Sequence, residues 1–211
     1  MVRKLTEKRI KEQVDKFKTL EEAIEWLRFI ESGGEPSFFG KGIIVCFGGG
    51  RNGAGTVAAV ASAYNEFTIS KAPVYSNLKL NFPYKHLRKI NFDTVSGSII
   101  LIDDAFIEFN CRETMSLRNK LWSFLFMQSK KRGLKIFMVT PDISFLDLRI
   151  RRSIEIIGRC SWINDRCKVC LQDRRTAKRF TYQIPSQVYS NLYDTNQFIP
   201  LIKKGGKNAK K

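Results

Sequence analysis

The sequence predicts an α/β fold, with a central and mostly parallel sheet and helices on both faces. Three stretches carry that expectation. From Lys41 to Tyr64, an apolar run is followed by a glycine-rich loop and then by an Ala-rich segment, the order of a buried strand, a phosphate loop and a helix. After Ser98, the run Ile99-Ile-Leu-Ile102 is uninterrupted by polar residues and ends on Asp103-Asp104, as a central parallel strand does when it delivers carboxylates to its C-terminal end. Leu134 to Thr140 is a further apolar run, ended by Pro141-Asp142.

Taken in order, residues 2–32 read as two helices. Ile10, Val14 and Phe17 fall at helical spacing, as do Leu20, Ala23, Ile24, Leu27 and Ile30, and Thr19 with Glu22 forms a capping box. Ser32 to Ser37 breaks them. The expected organisation is an N-terminal helical extension over 1–36, one nucleotide-binding domain over 37–200, and a basic, disordered tail over 201–211. Strands are expected near 42–47, 72–76, 98–103 and 134–140, with 98–103 lying beside 42–47. Leu78 to Phe82 alternates like another strand, and Tyr84 to Ile90 reads as a short helix. Arg112 to Arg132 reads as one long helix with Leu117, Leu121, Phe124, Leu125 and Gln128 on one face. Ile154 to Tyr182 reads as a small β meander at the edge of the sheet, and Pro185 to Leu192 as a last short helix.

Five glycines in eight residues, at 48, 49, 50, 53 and 55, allow backbone N–H groups to turn inward, and the following helix points its positive end at the same place. An anion, most naturally a nucleotide phosphate, is the expected occupant. The nucleotide-binding candidates are Gly49, Gly50, Arg51, Asn52, Gly53, Ala54, Gly55 and Thr56. Against the pattern Gly, four residues, Gly-Lys-Ser/Thr, Thr56 is in place to touch magnesium, but Gly55 stands where lysine should be. In such an enzyme the first aspartate, Asp103, holds magnesium with Thr56, and the second, Asp104, orients or deprotonates the attacking water. Arg51 is the loop's own cation and a candidate for the missing charge. ATP and Mg2+ are the cofactors implied.

The 211 residues carry a formal net charge of +17, which points to an anionic partner, nucleic acid first. There is no stretch of 18 apolar residues and no apolar N-terminal core, so a cytoplasmic protein without a membrane span is expected. Of five cysteines, Cys160, Cys167 and Cys170 have zinc-like local spacing, although a fourth ligand would have to come from Cys111 or His86. Cys167-Lys-Val-Cys170 fits a half-buried strand equally well.

Several stretches occur together in one order: Gly49 to Tyr64, Val74-Tyr-Ser-Asn-Leu78 to Phe82, Ile99 to Asp104, Ser116 to Gly133, Thr140, and Asp147-Leu-Arg-Ile-Arg151. In that order they resemble the zonular-occludens-toxin-like branch of the FtsK–HerA superfamily, over about residues 41–160. The resemblance implies a RecA-like ATPase that moves DNA, of the viral genome-packaging type, located in a host cytoplasm or virion. It implies a homo-oligomeric ring on double-stranded DNA, with capsid or other assembly proteins as further partners. One of Arg149, Arg151 and Arg152 would then reach the phosphates of the next subunit. Arg151, Arg152, Lys203 and Lys204 are the candidates for nucleic-acid contact. The family's lysine, its commoner glutamate at the second acidic position and its polar sensor are here Gly55, Asp104 and Pro141. The second reading is therefore a catalytically inactive P-loop-fold protein that binds nucleic acid or serves assembly.

Overall fold

The run Ile43–Gly49 (β1) is apolar because both of its faces are covered, as parallel strands require. The computed structural model describes residues 42–49, 53–109, 117–185 and 190–194. The proposed extension over 1–36 and the tail over 201–211 lie outside them. β1 pairs in parallel with β5 (Lys135–Val139) on one side and with β6 (Ile156–Ile163) on the other. Beyond β5 come β4 (Ile99–Ile102), β2 (Val74–Ser76) and the short β3 (Lys85–His86), all parallel. Beyond β6, the strands β7 (Arg166–Asp173) and β8 (Arg179–Pro185) turn antiparallel. The order is β3-β2-β4-β5-β1-β6-β7-β8, and the expected meander is β6 to β8.

Side-chain alternation assigns the two faces. Ile44 and Cys46, Ile100 and Ile102, and Ile136 and Met138 share one core with Trp122, Leu125 and Phe126 of α3 (Leu117–Met127) and with Ile150 of α5 (Leu148–Ser153). The opposite face is crossed by α1 (Ala54–Ser70), which packs on β1, β4, β5, β6 and β7. Ala54, Ala58, Ala59 and Ala63 are fully buried there, and their small side chains let the helix lie close to the strands. Near its far end, Glu66 is sealed in and paired with Lys135 at the start of β5.

Five sequence expectations are corrected. The 98–103 strand does not lie beside the 42–47 strand, because β5 is inserted between them with Lys135 in register with both Ile43 and Ile99. The stretch from Ile136 to Val139 is buried throughout, so the centre of the sheet is where it loses most water contact. Leu78 to Phe82 is not a strand; it makes one isolated bridge, Leu80 to Tyr193. Residues 84–90 form β3 and a 3-10 turn (Leu87–Lys89) instead of an α-helix. Within the described part of 112–132, the helix breaks at Gln128 (φ −93°, ψ 0°), and α4 (Ser129–Arg132) follows, stopped by Gly133 at φ +62°. Of the expected stripe, Leu117, Leu121 and Phe124 face outward, at 73%, 39% and 54% exposure, beside Met127 at 66%, whereas Leu125 faces the core with Trp122 and Phe126. Both stripes have helical spacing, so periodicity alone could not choose between them.

Candidate active site

The site forms at the C-terminal ends of β1, β4 and β5, where an open parallel sheet places its ligands. β1 runs through Gly48 and Gly49, which the sequence had assigned to the loop. Gly49 has a packing reason to be glycine, since a Cβ there would lie 2.6 Å from the carbonyl oxygen of Cys160 on β6. Gly50, Arg51 and Asn52 lie outside the described residues. Gly53 has φ +77° with open space around it, and its carbonyl accepts the helix bond from Val57 N–H at 3.1 Å. The first N–H groups of α1, a 17-residue helix, are therefore left over for an anion at its N-terminus.

Gly55, at the position of the missing lysine, is crowded: a Cβ would lie 3.0 Å from Cγ1 of Val139, the last residue of β5. The inserted strand thus occupies space on which a side chain at 55 would depend.

Thr56 and Asp103 come together although they are 47 residues apart. The Thr56 hydroxyl donates to Asp103 Oδ1 at 3.1 Å. Adjacent ligands of an octahedral magnesium at about 2.1 Å lie roughly 3 Å from one another, so this pair has the spacing that the ion needs. Asp103 is held by its backbone as well. Asn77, the asparagine of Tyr75-Ser76-Asn77, donates from Nδ2 to the Asp103 carbonyl at 2.8 Å and accepts the Asp103 N–H at Oδ1 at 2.9 Å. A buried amide on the neighbouring strand end thus clamps the Asp103 backbone from both sides. Asn77→Ala leaves both backbone groups unpaired, at about 1–3 kcal/mol each. The expected result is a melting temperature lower by several degrees, measured by calorimetry; an unshifted melt would contradict the clamp.

Burial pushes the Asp103 carboxyl up to about 6, and the neighbouring Asp104 charge adds to the rise, while the Thr56 hydrogen bond opposes it. Burial also raises Asp104. Asp104 adopts φ +46°, ψ 49°, a left-handed conformation rare outside glycine but accessible to Asp and Asn. It caps α2 (Ala105–Glu108) without a side-chain cap bond. Such a backbone costs on the order of 1–3 kcal/mol and tends to cluster at functional positions.

Other candidates fall into place around this centre. Thr140, at the end of β5, donates its hydroxyl to the Asp142 carbonyl at 3.0 Å. The Arg149 guanidinium is gripped by both carboxylate oxygens of Asp147, at 3.1 and 2.9 Å, which holds that carboxyl below the usual range. The Arg151 side chain is half-buried, with Nε lacking a hydrogen-bond partner, and the exposed Arg152 lies at the other end of α5 from Asp147. Lys203 and Lys204 lie outside the described residues. Sequence reasoning missed Tyr193, which bridges to Leu80 and is pushed up to about 12 by burial and by the Asp103 charge. Nothing local marks it, because its partners are on the distant Lys79–Asn81 segment, which Leu192 to Asp194 meets.

The strand register rules out one zinc for the three cysteines. Cys167 and Cys170 are an odd number of residues apart on β7 and so project to opposite faces. Cys160 and Cys167 hydrogen-bond to each other, and Cys167 also donates to the Ala54 carbonyl at 3.3 Å. No group of three His, Cys, Asp or Glu residues suited to a metal ion occurs among the described residues.

The fold is α/β, a mostly parallel sheet with helices on both faces, in which α1 follows β1 and the acidic pair follows β4. Among solved structures, the chain is similar to the N-terminal domain of zonular occludens toxin from Neisseria meningitidis, with TM-score 0.55 and 18% identity over 72% of this chain and 99% of that one. It is also similar to B204, the DNA-packaging ATPase from Sulfolobus turreted icosahedral virus, with TM-score 0.52 and 11% identity over 68% of this chain and 98% of that one. The resemblance read from the sequence and the likeness of the folds thus point the same way. No family model matches the chain, and no curated protein matches it.

Proposed function

We propose that the chain is an ATPase subunit that couples Mg-ATP hydrolysis to movement of double-stranded DNA, as part of a homo-oligomeric ring in a viral packaging system. The single observation that carries this reading is the 3.1 Å pairing of Thr56 with Asp103, with Asp104 adjacent in a strained backbone at the same strand end. The α1 N-terminus and the loop from Gly49 to Thr56 would bind the phosphates. Thr56 and Asp103 would hold magnesium, which offsets phosphate charge when bound. Asp104 would accept the proton of the attacking water at its carboxylate.

The missing lysine must be replaced. Arg51 within the loop is one source of charge, and an arginine from the next subunit is the other. Asp147 holds Arg149 in one orientation, which suits a residue presented to a neighbour, where such a cation is worth about 10³–10⁵ in rate. In this reading residues 37–200 are the motor domain, 1–36 contact a neighbouring subunit and 201–211 assist in holding DNA. Capsid or other assembly proteins are its further partners. No described helix is long and apolar enough to cross a membrane.

A second reading has its own observation. Val139 crowds the position of the absent lysine, as in a site that no longer needs one, and the chain would then bind nucleic acid or serve assembly without hydrolysis. A DNA-stimulated ATPase assay separates the two. The first reading predicts slow basal turnover that rises on adding double-stranded DNA. Nucleotide binding without turnover, with or without DNA, would establish the second.

A further inference from the structure

At the opposite end of the sheet lies a cleft that the catalytic site does not use. Ser129 and Lys130 precede β5, and Ile154 and Glu155 precede β6, so the cleft sits at the strands' N-terminal ends. The seven residues of β1 separate it from the phosphate loop by about 20 Å. It encloses about 360 Å³. Lys130, Arg152, Arg174 and Arg175 line it against a single carboxylate, Glu155.

The cations are arranged, not scattered. Glu155 bridges Lys130 at 3.0 Å and Arg175 at 3.3 Å, which keeps two positive groups from separate elements beside one another. Arg174 donates to the Arg151 and Ile154 carbonyls at 2.6 and 3.1 Å, which fixes its guanidinium at the end of α5. Satisfying those carbonyls accounts for Arg174 alone, and helix ends favour cations generally. It does not account for Arg175 on the β7–β8 turn, which carries a fourth positive group to the same cleft. Met127, 66% exposed, supplies an apolar wall.

We propose that this cleft is a seat for the phosphodiester backbone of DNA, separate from the nucleotide site. The inference rests on the nucleic-acid reading above and names the surface that would serve it. Three of the four cations are arginines, whose forked donors match phosphate oxygens. An excess of cations over carboxylates is what counterion release at a phosphate backbone requires.

The test is the salt dependence of binding to labelled double-stranded DNA by the full chain, compared with Lys130→Gln/Arg175→Gln. Each phosphate contact contributes about 0.9 to the log–log slope. Between 50 and 200 mM salt, the wild type should therefore lose roughly tenfold more affinity than the variant. Arg88→Gln/Lys89→Gln removes the same charge from exposed positions beside β3, at the other edge of the sheet, and should keep the wild-type slope. Binding of a fluorescent ATP analogue, followed in parallel, should be the same in all three. Should the double variant melt early, Arg175→Gln alone, in a side chain 65% exposed, should lower the slope by about one. An unchanged slope in the cleft variant, or an equal fall in the control, would overturn the cleft while leaving DNA binding standing. Competition by polyglutamate as effective as competition by DNA would overturn it in favour of an acidic protein partner. Nucleotide binding with no DNA binding at all by the wild type would instead defeat the reading beneath it.

Discussion

Asp103→Asn is expected to make the nucleotide-free protein more stable at neutral pH and to abolish its magnesium-dependent nucleotide binding. The fold holds the Asp103 carboxyl at about 6, chiefly by burial, whereas the unfolded chain returns it to about 3.9. Between those values the folded state binds more protons than the unfolded state, so stability falls as pH rises from about 4 to 6 and stays lower above. Two pK units correspond to at most about 3 kcal/mol, and less in practice because the side chain is only half-buried. Asparagine cannot ionise, yet it keeps an oxygen for the Thr56 hydroxyl. The melting temperature of the variant should exceed that of the wild type by a few degrees at pH 7.5 and should match it near pH 4. The cost falls on function, since a neutral amide is a poor magnesium ligand. In the wild type, magnesium affinity should fall as the pH drops through 6. A variant less stable than wild type at pH 7.5 would contradict this account of the carboxyl's environment.

The arrangement of the site was legible in the sequence where the signal was local. The strand, loop and helix from Ile43 to Ser70 follow from an apolar run, glycines and alanines that are contiguous in the chain. The acidic pair was legible because it ends an apolar run. The Thr56–Asp103 pairing was expected, but through the wrong geometry, with the two strands adjacent. β5 intervenes, and Asp103 still reaches Thr56 because α1 crosses the strand ends at that height. Asn77, Tyr193 and the crowding of Gly55 by Val139 are contacts between distant segments, and no periodicity encodes them. The expected stripe of α3 was divided for a different reason, since its helix carries two apolar faces and the core took the one bearing Trp122 and Leu125.

In the proposed reading, Asp104 is the residue on which catalysis turns. It follows Asp103 in the chain, and burial raises its basicity, as a general base requires. Asp104→Asn is an unusually clean change, because asparagine also tolerates the left-handed backbone at this position. The fold, the Thr56–Asp103 pair and nucleotide binding should survive it, and proton acceptance should not. Loss of a positioned general base lowers rate by about 10²–10⁴. The most direct measurement is therefore single-turnover hydrolysis of ATP by the wild type and by Asp104→Asn, with DNA present and nucleotide binding verified for both. The account predicts a wild-type burst and a rate at least about a hundredfold lower in the variant. Equal rates would show that Asp104 does no chemistry and that the fold persists here without the reaction.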